Sequence, residues 1–231
     1  RNRGVEINVS ADVLRIKDFT WNVNANVSYN KNEITELYNG ITEYVASDTG
    51  RMVAVGHPLG EFYLNRYAGV NPTNGDALWY TKDGEITTEY NESDKVMLGK
   101  THEAPWQGGF GTTLSWQGFS LSAQFTWVAD RWMLNNDRVF QESNGLFSAY
   151  NQSKRMLYDR WKKPGDVTDI PRYGVTPQLD SRFLEDASFL RLKNLMLSYT
   201  FPQKWLQRTN FLSSARIYAQ GQNLLTFTSF T

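Results

Sequence analysis

The sequence contains no cysteine, so it can form neither a disulfide framework nor a thiolate metal site. Neither charge is in excess, because 24 lysines and arginines match 24 aspartates and glutamates, and no basic run suggests a nucleic acid partner. No stretch approaches the roughly 18 to 20 apolar residues that a transmembrane helix needs. A soluble β-protein and a membrane protein that crosses the bilayer with strands both remain open.

Aromatic residues are plentiful, at 14% of the 231 residues, although the mean hydropathy is −0.53. Many aromatics on a polar background are typical of a transmembrane β-barrel, where alternate residues face lipid and a wet lumen. A soluble all-β protein can have the same composition. The chain opens without an initiator methionine or a signal-peptide pattern and stops within a strand-like run, so we expect a piece of a longer protein.

Strict alternation of apolar and polar residues marks the first two predicted strands. Their apolar positions are Val5, Ile7, Val9, Ala11 and Val13, then Phe19, Trp21, Val23, Ala25, Val27 and Tyr29. Ten alternating residues predict a strand long enough to cross a bilayer at a tilt. Unsatisfied amides are costly in hydrocarbon, so we expect Asn22, Asn24 and Asn26 to face the lumen. The residues expected to face lipid are Val5, Ile7, Val9, Phe19, Trp21, Val23, Ala25 and Val27.

Four further long strands are predicted, at residues 108–116, 119–127, 189–200 and 215–228. Gln117-Gly118 supplies a tight turn between the first two of them. The run Leu190-Arg191-Leu192-Lys193 breaks the alternation and predicts either a bulge or a strand end raised above the membrane. We also expect a short helical turn within 202–214 and one or two additional strands within 60–80.

Connections of two very different lengths join the predicted strands. Short turns link the partners of a hairpin, whereas residues 31–60 and 130–187 form long links, as in outer-membrane barrels with long extracellular loops. Leu146, Tyr150, Leu157 and Trp161 have helical spacing, and Pro164-Gly165 is a stop signal. The predicted fold class is therefore an all-β antiparallel transmembrane β-barrel segment, with one short helix within 145–163.

No catalytic, cofactor-binding or metal-binding pattern is found, so we do not expect an enzyme. The histidines His57 and His102 are far apart in sequence and lack a neighbouring nucleophile pattern, which favours a loop or rim position. Residues 71–76 faintly resemble a cation loop but lack its spaced carboxylates, so a turn is the better interpretation. Glu185-Asp186 is interpreted as part of a solvated loop rather than as an acid–base pair.

The predicted loops are rich in aromatic residues, which can stack on sugars or hold peptide side chains. They are Trp79, Tyr80, Trp106, Trp132, Tyr150, Trp161 and Tyr173. All of these except Trp106 are our candidate ligand or partner contacts. The alternative is that they only pack the loops against each other.

Three motifs resemble the end of the SusC/RagA family of TonB-linked outer-membrane proteins. They are Ser181-Arg182-Phe183-Leu184-Glu185-Asp186-Ala187-Ser188-Phe189-Leu190-Arg191-Leu192-Lys193-Asn194, Leu197-Ser198-Tyr199-Thr200-Phe201-Pro202 and Ala215-Arg216-Ile217-Tyr218-Ala219-Gln220-Gly221-Gln222-Asn223-Leu224-Leu225-Thr226-Phe227-Thr228. Asn2-Arg3-Gly4-Val5-Glu6 and Trp116-Gln117-Gly118-Phe119-Ser120-Leu121-Ser122 are similar to two further patterns of the family. The match is weakest over residues 31–101.

This resemblance implies a 22-stranded barrel in the outer membrane of a Gram-negative, Bacteroidetes-like bacterium. It also implies a SusD-like surface lipoprotein partner and import of an oligosaccharide or peptide, driven by the TonB complex. Residues 1–231 would be the C-terminal part of the barrel, without the plug domain and the TonB box. We further expect the loop at 130–187 to lie outside the cell and to contact the lipoprotein or the ligand.

Two other classes of protein remain open. One is a soluble β-sandwich that binds glycans through its aromatic loops, and the other is a small outer-membrane barrel with an adhesin or structural role. Only the membrane alternatives require an uninterrupted apolar band of about 25 Å along the strands.

Overall fold

The computed structural model describes residues 1–46, 50–147, 149–207 and 211–231. In chain order its strands are β1 (Asn2–Ile16), β2 (Phe19–Asn32), β3 (Glu43–Ala46), β4 (Arg51–Ala54), β5 (Glu61–Leu64), β6 (Arg66–Val70), β7 (Ala77–Tyr80), β8 (Ile86–Thr87), β9 (Val96–Thr101), β10 (Trp106–Trp116), β11 (Phe119–Ala129), β12 (Trp132–Leu134), β13 (Leu184–Asp186), β14 (Phe189–Thr200) and β15 (Arg216–Thr228). The helices are α1 (Asn136–Gln141), α2 (Lys154–Tyr158) and α3 (Gln203–Leu206), with 3-10 turns at Tyr38–Gly40, Glu92–Asp94 and Ser181–Phe183. The predicted antiparallel all-β fold is confirmed.

Within the described ranges, no helix is long and apolar enough to cross a membrane.

The chain divides into two compact units. The strand unit comprises residues 2–31, 104–131 and 187–231, and the loop unit comprises Arg1 with residues 32–103 and 132–186. In the strand unit the long strands form one antiparallel sheet in the order β1-β2-β10-β11-β14-β15, so each is paired with its neighbour. These are the six long strands predicted from the sequence, and each has 11 to 15 residues.

Two-residue turns close the first two hairpins of this sheet. At the second turn Gln117 and Gly118 have φ values of 46° and 91°, which is the left-handed conformation that a tight hairpin turn requires. Lys17 adopts the same conformation at the first turn, with φ at 49°. The predicted turns are therefore confirmed. The third connection, between β14 and β15, is longer and contains α3.

A bulge in β14 explains why the alternation of its sequence changes phase. The leucines of β14 occupy even positions up to Leu192 and odd positions from Leu195 onward. The pairing of β14 with both neighbours skips Lys193, since Leu192 and Asn194 oppose consecutive residues of β11. The extra residue keeps Leu192 and Leu195 on one face of the sheet, which confirms the predicted bulge.

The loop unit consists of three small antiparallel sheets, β3-β4-β5-β9, β6-β7-β8 and β12-β13. Phe62, Leu64 and Leu184 are its buried core, and Trp132 packs against them. Residues 60–80 contain three strands where one or two were predicted. The core thus joins the two long connections of the chain, because Phe62 and Leu64 belong to residues 32–103 and Leu184 belongs to residues 132–186. The first connection extends well beyond the predicted 31–60.

The second long connection contains the one short helix predicted within 145–163, which is α2. The additional helix α1 precedes that range and was not predicted, and Leu146 and Tyr150 lie before α2. The helical spacing predicted for Leu146, Tyr150, Leu157 and Trp161 is wrong, because only Leu157 lies in α2, which exposes it and buries Met156 instead. The predicted turn within 202–214 is present as α3. Residue 148, within the predicted helical segment 145–163, and residues 208–210, within the predicted turn at 202–214, lie outside the described residues.

Candidate functional site

One face of the six-stranded sheet is predominantly apolar, and Thr112, which accepts a bond from the Trp21 indole, is a polar residue within it. Its middle rows, read across β2, β10, β11 and β14, are Ala25, Phe110, Phe125 and Leu192, then Trp21, Leu114, Leu121 and Leu197. Phe110 and Phe125 stack with their ring centroids 4.8 Å apart. Many of these side chains are exposed although they are large and apolar, among them Leu121 at 41% and Leu197 at 52%. An exposed apolar surface that crosses a whole sheet needs an apolar environment.

Aromatic rows border this apolar face at both ends. At the turn end Phe19, Trp116, Phe119 and Tyr199 oppose one another, and at the other end Tyr29 pairs with Trp106 at 4.5 Å. Trp106 therefore lies at the start of β10 and not in a loop as predicted. Trp106 and Trp116 are ten residues apart, which is about 33 Å along the strand and about 25 Å across a bilayer at the usual tilt.

The opposite face of the sheet carries amides and hydroxyls. One of its rows consists of Asn24, Gly111, Gln124, Asn194 and Gln222. Asn22 donates to the carboxylate of Asp12 at 3.1 Å, and Ser28 donates to Glu6 at 3.4 Å, which brings β1 into the same pattern. The predicted separation of Val23 and its apolar companions from Asn22, Asn24 and Asn26 is therefore present.

In the loop unit, Trp79 is a core residue. Its indole N–H donates to the carboxylate of Asp180 at 2.7 Å, and its ring makes edge contacts with Tyr67 and Tyr90. Burial raises the pKa of the Asp180 carboxyl, while the bonds from Trp79 and the Arg182 amide oppose that rise. Burial likewise raises the pKa of Tyr90 to about 12. Trp79 therefore ties β7 to residue 180 of the other long connection.

Trp161 packs against the turn at residues 71–76 and donates a hydrogen bond to it. Its indole N–H donates to the carbonyl of Pro72 at 3.2 Å, and a Cβ placed on Gly75 would lie within 2.4 Å of its ring. Asn71 and Asn74 accept backbone N–H bonds within the turn, and Arg172 bonds Asp76 at 2.9 Å. The turn interpretation of 71–76 is confirmed by these bonds, and the described residues contain no cluster of three acidic or histidine side chains suited to a metal.

Two more of the candidate aromatics lie under basic side chains. The ammonium group of Lys100 is 3.4 Å from the ring centroid of Trp132, and the guanidinium of Arg66 is 5.4 Å from that of Tyr80. Both contacts are cation–π interactions that hold the loop unit together. Trp79, Tyr80, Trp132 and Trp161 thus all have partners within the unit.

Tyr150 and Tyr173 are the candidate aromatics with open surface. They are 64% and 66% exposed. Tyr150 makes edge contacts with Phe140 and Phe147, and Tyr173 lies 5.4 Å from the guanidinium of Arg160. Leu157, Tyr158 and Val167 of the same connection are also exposed. These aromatic faces are available for stacking, unlike those of the four packed candidates.

A buried ion-pair network stiffens this connection, and it was not predicted from the sequence. Glu142 is only 1% exposed, and it accepts two bonds from Arg138, at 2.9 and 3.0 Å, and one from Arg155 at 2.7 Å. Arg155 also reaches Asp169, and Arg138 reaches Glu185. Burial lowers the pKa of Arg138, but its bonds to Glu142 and Glu185 outweigh that effect and raise it overall. Both arginines therefore stay charged and join α1, α2 and β13.

The two histidines contact neighbouring residues at the start of β5, His57 at Glu61 and His102 at Gly60. Nδ1 of His57 lies 2.9 Å from a carboxylate oxygen of buried Glu61, whose other oxygen accepts the N–H of Gly99. The ring of His102 packs over Gly60, where a Cβ would lie within 2.3 Å of it. These contacts close this end of β5, in agreement with the loop interpretation of both histidines.

No family model matches the chain. It is 28% identical to the TonB-dependent receptor P3 of Formosa agariphila, over 99% of this chain and 24% of that protein. It is 26% identical to the TonB-dependent receptor SusC of Bacteroides thetaiotaomicron, over 96% of this chain and 22% of SusC. A solved structure of the RagAB peptide transporter superposes with a TM-score of 0.93 at 36% identity, over 99% of this chain and 26% of that one.

The chain thus spans about a quarter of the length of the curated relatives that it matches. Those relatives are named receptors, and the solved structures are described as transporters or importers. The similarity extends over nearly the whole of this chain, including the weakly patterned residues 31–101. Over its length this chain is a SusC/RagA-like TonB-dependent receptor segment, from a class of outer-membrane β-barrel proteins.

Proposed function

We propose that the chain supplies barrel wall and outer loops to an outer-membrane importer of nutrients. The observation that carries this proposal is the two-faced sheet, whose apolar side is bordered by aromatic rows at bilayer spacing. Residues 1–231 would form one C-terminal barrel segment, and the plug and the TonB box would belong to other parts of the parent protein. The proposal assigns transport, and no catalytic step, to these residues.

The loop unit is the part that would meet the ligand and a SusD-like surface lipoprotein. Both long connections follow strands that run away from the two-residue turns, so in a barrel they lie at the end opposite to those turns. A peptide is the first candidate substrate, because the RagAB structures at 36% and 37% identity are described as peptide transporters or importers. An oligosaccharide is the second, since exposed tyrosine rings also stack on sugars.

Uptake by the full-length receptor with its lipoprotein tests this proposal. We expect labelled oligopeptides to enter cells in a TonB-dependent manner, and uptake that is unaffected by loss of TonB would contradict the importer function. The double variant Tyr150→Ala/Tyr173→Ala should reduce uptake or lipoprotein co-purification several-fold. The control Tyr38→Ala removes a tyrosine that is 90% exposed in the other long connection, and it should have no effect. If both variants behave like the parent, Tyr150 and Tyr173 are not contact residues.

A further inference from the structure

The connection between β14 and β15 extends the apolar face of the sheet beyond its last strand residue. Phe119 packs on Tyr199 at 4.5 Å, Tyr199 on Phe201 at 5.1 Å, and Phe201 on Trp205 of α3 at 6.4 Å. The turn-end aromatic row therefore continues off the sheet as an unbroken series of rings. The other two turns at this end have two residues each and offer no such surface.

The apolar side chains of this connection are largely uncovered. Trp205 is 58% exposed and Phe211 is 82% exposed, whereas Leu206 of the same helix is buried against the strand unit. A hydrogen bond joins the two ends of the connection, because the N–H of Phe201 donates to the carbonyl of Ala215 at 3.0 Å. The described residues of this connection bury one apolar side chain and expose two aromatic ones, so they present a second apolar side that no other described residue covers.

We propose that α3 and the flanking residues Phe201 and Phe211 form an interfacial anchor, which inserts Trp205 and Phe211 into the phospholipid leaflet at the turn end of the sheet. Tryptophan suits that depth, because its ring is apolar while its N–H is polar. Lys204 and Gln203 are exposed on the same helix and would face the headgroups. The lipid is favoured over a protein partner because the rings are continuous with the lipid-facing row. This inference rests on the proposed membrane setting of the sheet.

Spin labels on the full-length receptor in phospholipid vesicles test the anchor. Single cysteines replace Trp205 or Phe211, and this segment contributes no cysteine of its own. The same label at Lys17, in a two-residue turn at this end of the sheet, gives the value for a site in water. The same label at Leu121, on the apolar face, gives the value for a site in lipid. We expect the ratio of oxygen to nickel-chelate accessibility at 205 and 211 to exceed that at Lys17 several-fold and to fall below that at Leu121.

Each alternative has a distinct outcome. Accessibility at 205 and 211 equal to that at Lys17 would mean that the connection lies in water, and protection from both reagents would mean that protein covers it. Either result overturns the anchor. Nickel access at Leu121 would instead refute the membrane setting itself.

A label-free comparison guards against variants that fail to fold. The double variant Trp205→Ser/Phe211→Ser should insert into vesicles several-fold more slowly than Gln203→Ser/Gln207→Ser, which alters exposed polar positions of the same connection. Equal insertion rates would also overturn the anchor.

Discussion

Replacement of Val23 by arginine measures the lipid exposure of the sheet directly. Val23 lies on the apolar face, four residues from Phe19 and six from Tyr29, so it is about 13 and 20 Å along the strand from the two aromatic rows. An arginine near the bilayer midplane on the lipid face of a barrel costs about 2 to 4 kcal/mol. We expect the lower half of that range, because Val23 is nearer the turn-end row and the guanidinium can reach toward the headgroups.

Asn24→Arg is the matched control, because residue 24 is adjacent in β2 and lies on the opposite, polar face. A charge on a wet face should change the free energy of unfolding by no more than about 0.5 kcal/mol. Urea unfolding of the full-length receptor in lipid vesicles gives both values. Equal losses in the two variants, or a larger loss for Asn24→Arg, would refute the assignment of the faces.

Three further predictions concern the loop unit. Gly75→Ala should destabilise it by about 1 to 3 kcal/mol, because φ is 78° and the added Cβ meets the Trp161 ring; Gly84→Ala, at φ 94° in open space, should cost only the backbone strain. Proteolysis rates of the folded receptor distinguish the two. Glu142→Gln breaks a buried ion pair and should cost roughly 3 kcal/mol, measured by hydrogen exchange across the loop unit. The control Glu92→Gln, whose side chain is 76% exposed beside Lys95, should cost less than about 1 kcal/mol in the same measurement. Similar losses in the two variants would show that burial is unimportant. Folding raises the pKa of Asp180, so at pH values above the ordinary 3.8 the folded state binds more protons than the unfolded state. The urea midpoint of the loop unit should therefore fall as the pH rises through the raised pKa. Asp180→Asn should abolish this fall, and an unchanged pH profile in that variant would contradict the prediction.

Deletion of residues 145–163 would not isolate the effect of the exposed tyrosines, because it would disrupt the ion-pair network. Removing residues 145–163 would take away Arg155 and leave buried Glu142 with Arg138 alone. Loss of uptake by such a deletion would then report a disrupted loop unit as readily as a lost contact. Tyr150→Ala and Tyr173→Ala leave that network intact.

Local pattern was enough to predict the long strands. Apolar and polar residues alternate along these strands because successive side chains face opposite sides of the sheet. The six strands of the large sheet could therefore be located without knowledge of their partners. The tight turn at Gln117-Gly118 and the bulge at Lys193 were equally local, since each depends on one or two residues. These features determine the sheet and its two faces.

Only the tertiary structure decided the role of the loop aromatics. Trp79, Trp132 and Trp161 owe their burial or packing to residues between 32 and 101 positions away, and no local spacing encodes such contacts. The same is true of Glu142, whose burial depends on α1 and α2 meeting. Short strands and single-turn helices have too few residues for periodicity to indicate what they contact, so in the loop unit packing between distant segments determines which rings are buried and which remain exposed.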